Sequence, residues 1–296
     1  MSRQINKVAI TGGTHGNELT GVYLINKYKR NPNLVKRASF DTIFMHTNVG
    51  AMKKCTRYVD IDLNRTFIKK DLANPMKYRY EDILAKNINE KLGPKGAEKT
   101  AVDFIVDLHS TTSDMGLSLV IDNDSKLTWQ VAAYLKEKEP NLHIFRWKGD
   151  TKEVSFVNSI AEDGFAIEVG PIPQGVLRAD LFFKTEKLVD YILDFFEKYN
   201  TNKLNKIYKT LEIYDHIKLV DFPRNEDGEI NATVHPNLQD NGYYKLTKGD
   251  PLFVTLEGKV INYEEENEVY ALFINEAAYY EKGFAMCLTE RKNINL

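Results

Sequence analysis

The 296-residue chain is 43% hydrophobic and 28% charged, with 40 Lys and Arg against 42 Asp and Glu and a formal net charge of −2. That is ample material for a core in one large domain or two, and the balanced charge excludes a polybasic nucleic-acid or acidic-membrane binder as the first reading. Two widely separated cysteines, Cys55 and Cys287, exclude a disulfide framework, and no apolar run reaches membrane-spanning length, so a soluble cytoplasmic protein is expected.

From the amino terminus, KVAITG reads as a strand and ELTGVYLINKYKR as a helix. FDTIFMHT follows as a strand, and YEDILAKNINEKL as a helix stopped by Gly93 and Pro94. AVDFIVDLH and LSLVID read as strands, LTWQVAAYLKEKE as a helix, FAIEVG as a strand and KTEKLVDYILDFFEKYN as a periodic helix. This alternation predicts an α/β mixed sheet with helices on both faces. After Asn200 the pattern changes: TNKLNK is a polar bridge, and TLEIYDHIKLVDF, PLFVTLEG and EVYALFIN are β-type runs separated by turns. A catalytic domain over 1–202 and a smaller, mainly β domain over 203–296 are expected.

The loop after the first strand, Gly12-Gly13-Thr14-His15-Gly16, resembles a phosphate cradle. It lacks the lysine of a Walker loop and the G-x-G-x-x-G of a dinucleotide fingerprint, and Glu18 would repel an anion. His15 and Glu18 suit a catalytic Zn²⁺ better. A third ligand is then required, and His109, at the carboxyl end of a buried strand, is the best candidate. Asp107 shares its side of that strand, either to orient the histidine or to meet a backbone partner. His46 is a weaker competitor without a companion carboxylate, while His143, His216 and His235 read as surface or structural residues.

Glu168 is the one carboxylate in the apolar run FAIEVG. Burial would raise its pKa toward the range useful to a general base; the alternative is a salt-bridged strand end. In CTRYVDIDLNR, Arg57, Asn64 and Arg65 suit recognition of a substrate carboxylate, or are simply exposed loop residues.

GGTHGNELTGVYL, CTRYVDIDLNRTF, DLHSTTSDMG, IEVGPIPQGVLRAD, HPNLQD and INEAAYYEKG together resemble the motifs of the aspartoacylase family, which takes in the aminoacylase-three enzymes among zinc carboxypeptidase-like hydrolases. The segments run from about Val8 to Gly283, nearly the whole chain. The resemblance implies zinc ligands at His15, Glu18 and His109, one ion per chain, and a catalytic glutamate at Glu168. It implies a carbonyl-polarising arginine at Arg57, a grip on the α-carboxylate by Asn64 and Arg65, and a tyrosine from the carboxy-terminal domain at Tyr279. It further implies a carboxypeptidase-like fold whose carboxy-terminal domain narrows the channel, an N-acyl amino acid substrate with N-acetyl-L-aspartate first and aromatic N-acetyl amino acids as the alternative, and a possible homodimer. Aspartoacylases carry an arginine for the β-carboxylate at the position that aligns, without gaps, with Asn158. Arg146, Lys148 and Lys152 are nearby sources of the missing charge.

Overall fold

The computed structural model describes residues 3–149, 153–204 and 208–296. The amino-terminal portion holds strands β1 (Lys7–Gly12), β2 (Asp41–His46), β3 (Phe104–Ser110), β4 (Gly116–Ile121), β5 (Leu142–Arg146) and β6 (Asp163–Gly170). Between them run helices α1 (Leu19–Arg30), α2 (Val49–Lys54), α3 (Lys69–Leu72), α4 (Tyr80–Leu92) and α5 (Lys126–Lys138), followed by α6 (Ala179–Asn200). Strands β7 (Thr210–Val220), β8 (Ala232–Val234), β9 (Tyr244–Leu246), β10 (Pro251–Thr255), β11 (Val260–Asn262), β12 (Val269–Leu272) and β13 (Met286–Asn295) complete the chain.

One 10-stranded sheet runs in the order β2-β1-β3-β6-β4-β5-β7-β13-β12-β9. It is mixed: β2, β1, β3 and β6 are parallel, β4 pairs antiparallel with β6, and β5 pairs parallel with both β4 and β7. The central sheet therefore continues past Asn200 through β7, and a separate three-stranded sheet, β11-β10-β8, lies within the carboxy-terminal portion.

Strand periodicity decides what each face meets. Val8 and Ile10, Phe104, Val106 and Leu108, and Phe165 and Ile167 pack with Leu24 and Ile25 of α1 and with residues of α5 and α6. Ala9 and Ile105 take the opposite face, against Ala85, Ile88 and Leu92 of α4. Helices on both faces are thus what the alternation produces. The odd-numbered residues of β3, Asp107 and His109, continue the α4 side, and so do Ala166 and Glu168 of β6, whose register pairs His109 with Glu168. The site opens on this face.

Candidate active site

The loop leaving β1 is shaped by glycine for reasons of space. Gly13 has φ +74°, and a Cβ on Gly16 would lie 2.1 Å from the Ala51 backbone. This packing sets His15 beside the start of α1, where Glu18 is the boundary residue and makes no side-chain cap. Its carboxylate turns to the histidines: Glu18 Oε1 lies 2.5 Å from His15 Nδ1, and Oε2 lies 2.9 Å from His109 Nδ1 while accepting from the Ser110 N–H at 3.1 Å. One ligand atom from each of His15, Glu18 and His109 falls within 4.8 Å of the others, and all three residues are buried.

The second nitrogen of each imidazole is held from behind. Asp107 Oδ2 is 2.7 Å from His109 Nε2, and Asp107 is itself fixed by the hydroxyls of Thr11 and Thr14. Asp62 Oδ1 is 3.1 Å from His15 Nε2. Such carboxylates turn the facing nitrogens, here the two Nδ1 atoms 3.2 Å apart, toward the shared centre. If both outer nitrogens donate to their carboxylates, the two facing nitrogens present lone pairs that a cation or a proton must bridge. Burial would raise the Glu18 carboxyl, but the charges of His15 and His109 outweigh it and hold it well below the usual range. Burial would likewise lower His109, but Asp107 and Glu18 raise it well above the ordinary imidazole value. A donor set of two nitrogens and one carboxylate, oriented by outer carboxylates, fits a metal ion.

Glu168 faces this centre from β6. Its Oε2 is buried with no hydrogen-bond partner among the described residues, and burial, countered by His109, pushes its carboxyl up to about 8. Arg57 reaches in from the loop after α2, its Nη1 3.3 Å from Glu18 Oε1 and its Nη2 3.2 Å from Asp62 Oδ2. Burial opposes its charge, but Asp62 and Glu18 raise the guanidinium further above its ordinary value. Asn64 is buried, with Oδ1 accepting from Val157 N at 2.9 Å, while Arg65 lies over the Phe156 ring at 5.2 Å. Tyr279 stands in the turn after β12, its phenol pushed upward by burial and the Glu168 charge. Glu168, Arg57, Asn64, Arg65 and Tyr279 line one cavity of about 240 Å³ with His15, Glu18 and His109.

The side wall is apolar, built from Val120, Phe145, Trp147, Phe156, Phe273 and Phe284. Asn158 does not line it: its Nδ2 donates to Asp122 at 2.9 and 3.0 Å. Arg146 and Lys148 are held by Asp215 at 2.7 Å each, and Lys152 lies outside the described residues. His46 is also elsewhere, its Nε2 3.1 Å from the Val22 carbonyl.

Sequence reasoning missed two carboxylates. Asp62 both orients His15 and holds Arg57; its signal lay in DIDLNR, where Asp62 also accepts from Asn64 N at 2.9 Å and starts the turn bearing Asn64 and Arg65. Glu276 is buried and accepts from Thr111 Oγ1, from Thr112 N at 2.7 Å and from Ser113 N at 3.2 Å, tying the carboxy-terminal portion to the segment just after His109. The motif INEAAYYEKG contained it without marking it.

A mixed α/β sheet that gathers a His-Glu-His cluster, a desolvated glutamate and a fixed arginine at its strand ends defines a carboxypeptidase-like hydrolase. Residues 4–196 match the succinylglutamate desuccinylase/aspartoacylase catalytic domain, and residues 209–291 match the AstE/AspA barrel-sandwich hybrid domain. A probable aspartoacylase of Trichodesmium erythraeum is 50% identical over 99% of this chain and 100% of its own length. The human N-acyl-aromatic-L-amino acid amidohydrolase (carboxylate-forming) is 41% identical, covering 97% of this chain and 91% of that one. The crystal structure of murine aminoacylase 3 superposes with a TM-score of 0.93 at 39% identity, covering 100% of this chain and 98% of that one. The chain belongs to the succinylglutamate desuccinylase/aspartoacylase family and is an amidohydrolase.

Proposed function

We propose that the protein hydrolyses the amide bond of N-acyl amino acids with one Zn²⁺ per chain, N-acetyl-L-aspartate being the first substrate. The observation that carries this reading is the desolvated Glu168 carboxylate, whose Oε2 has no partner among the described residues, lining one pocket with the His15, Glu18 and His109 cluster. A zinc ion on those ligands would supply a Lewis acid for the scissile carbonyl and lower the pKa of an attacking water.

Glu168 takes the proton of the attacking water and returns it to the leaving amine, releasing a carboxylate and a free amino acid. Arg57, immobilised by Asp62 and Glu18, holds N–H donors toward the developing oxyanion with little reorganisation. Asn64 and Arg65 grip the α-carboxylate, and Tyr279 closes the pocket over it. We retain the division into a catalytic domain over 1–202 and a channel-narrowing domain over 203–296, a cytoplasmic setting and a possible homodimer as parts of this proposal.

N-acetyl-L-aspartate as substrate is supported by the relatives named aspartoacylase, among them the probable aspartoacylase of Trichodesmium. A second reading, N-acyl aromatic amino acids, is favoured by the apolar side wall and by the engagement of Asn158 with Asp122. The test is amino acid release by the zinc-loaded protein from N-acetylaspartate and N-acetyltyrosine, each with and without a chelator. Chelator-sensitive release led by N-acetylaspartate is expected; a preference for N-acetyltyrosine selects the second reading, and hydrolysis of neither overturns both.

A further inference from the structure

One buried cation takes no part in the chemistry above. Lys95 follows α4, and its side chain is only 8% exposed. Its ammonium donates to the Phe67 carbonyl and to Ser159 Oγ at 2.8 Å each, and to the Val154 carbonyl, so all of its N–H groups are used. Burial pushes its pKa down to about 8, against Glu153 and Asp122, which favour the charged form.

The acceptors belong to two separate stretches of chain. Phe67 closes the segment that begins with Asn64 and Arg65, and Val154 and Ser159 flank Phe156, on whose ring the Arg65 guanidinium rests at 5.2 Å. The stretches are also joined directly, by Phe67 N to the Ser155 carbonyl at 3.3 Å and by Val157 N to Asn64 Oδ1 at 2.9 Å. Lys95 does not line the cavity.

We propose that Lys95 is a positioning residue, an ammonium strut that ties these two pocket walls together and so sets the grip of Asn64 and of Arg65, seated on Phe156, on the substrate's α-carboxylate. The inference rests on the reading of Asn64 and Arg65 as that grip. A strut acting only on carboxylate binding stabilises bound substrate and transition state alike, so its loss raises KM and leaves kcat in place.

The test is steady-state kinetics of the zinc-loaded enzyme, on whichever N-acetyl amino acid it cleaves, for Lys95→Met, Lys95→Arg, Arg65→Gln and the Lys95→Met/Arg65→Gln pair. Because charged hydrogen bonds are lost, Lys95→Met should raise KM about tenfold with kcat within about twofold of the parent. Lys95→Arg should recover part of the loss, and the double variant should bind no worse than Arg65→Gln alone. A KM unchanged by Lys95→Met while Arg65→Gln raises it, or fully additive effects, overturns the strut and leaves the proposed function standing. An unchanged KM in Arg65→Gln removes the carboxylate grip itself and the strut with it. Should Lys95→Met fail to fold, Ser159→Ala, which deletes one acceptor, is read by the same KM.

Discussion

At the scale of single residues, the cluster separates holding a metal from moving a proton. His15→Ala or His109→Ala should lose bound metal and activity together, as metal analysis of the purified variants would report. Glu168→Gln keeps the shape of the side chain and should retain metal while turnover falls by about 10²–10⁴, the usual contribution of a positioned acid–base group. The outer carboxylates act at one remove: Asp107→Asn, which still reaches His109, should weaken metal affinity by about 10–100-fold in a competition titration. Glu168 also has a pH signature. Its pKa rises from an ordinary 4.5 to about 8 on folding, so the metal-free folded state binds a proton that the unfolded state has released. The stability this confers is complete below about pH 4.5 and is lost as pH rises through about 8. Thermal melts in chelator should therefore fall more steeply over that interval for the parent than for Glu168→Gln; equal slopes would count against a buried, proton-binding Glu168.

Among elements, local signals translated well and distant ones poorly. β1, α1, α4 and β3 lie where periodicity and their stop signals put them, because each shows one apolar face to one layer. β13 escaped notice because MCLTERKNIN does not alternate: its first four residues are buried and the rest lie largely at the surface, so pairing with β7 makes the strand. The site divides in the same way. His15 and Glu18 share one loop, and His109 and Glu168 mark strand ends, whereas the roles of Asp62 and Glu276 depend on partners 47 and 165 residues away. Asn158 is a neutral amide where the resemblance sets an arginine, and its pairing with Asp122 was not legible, since it comes from the packing of the Val157–Ile160 turn. Glu276→Ala should test how firmly that distant tie holds the segment after His109. Leaving several buried donors without an acceptor should cost about 3 kcal/mol or more, measured by denaturant unfolding, with activity lost in step.

Across the whole molecule, the change of composition near Asn200 marks a change of architecture, yet the sheet crosses it. β5 pairs with β7, and Phe145 packs in one cluster with Tyr214, Leu272, Phe273 and Cys287. A chain ending at Lys203 would bare this cluster and a sheet edge, so it should be largely insoluble or lack a cooperative thermal transition; a soluble, sharply melting fragment would contradict that. The two portions also meet at the surface beside Arg57, where the Tyr58 hydroxyl donates to Glu281 at 2.7 Å. Tyr58→Phe should therefore raise KM modestly, by about two- to tenfold for one lost hydrogen bond, with little change in melting temperature.

The uninterrupted sheet also restricts how the reaction vessel can breathe. Two bodies sharing a continuous hydrogen-bonded ladder cannot swing apart like the shells of a clam without breaking strand pairs. Motion that admits substrate is then expected of short segments at the cavity, among them the Ala277–Lys282 turn that carries Tyr279 and Lys282 into its lining, so any conformational delay in turnover would be set by a few residues.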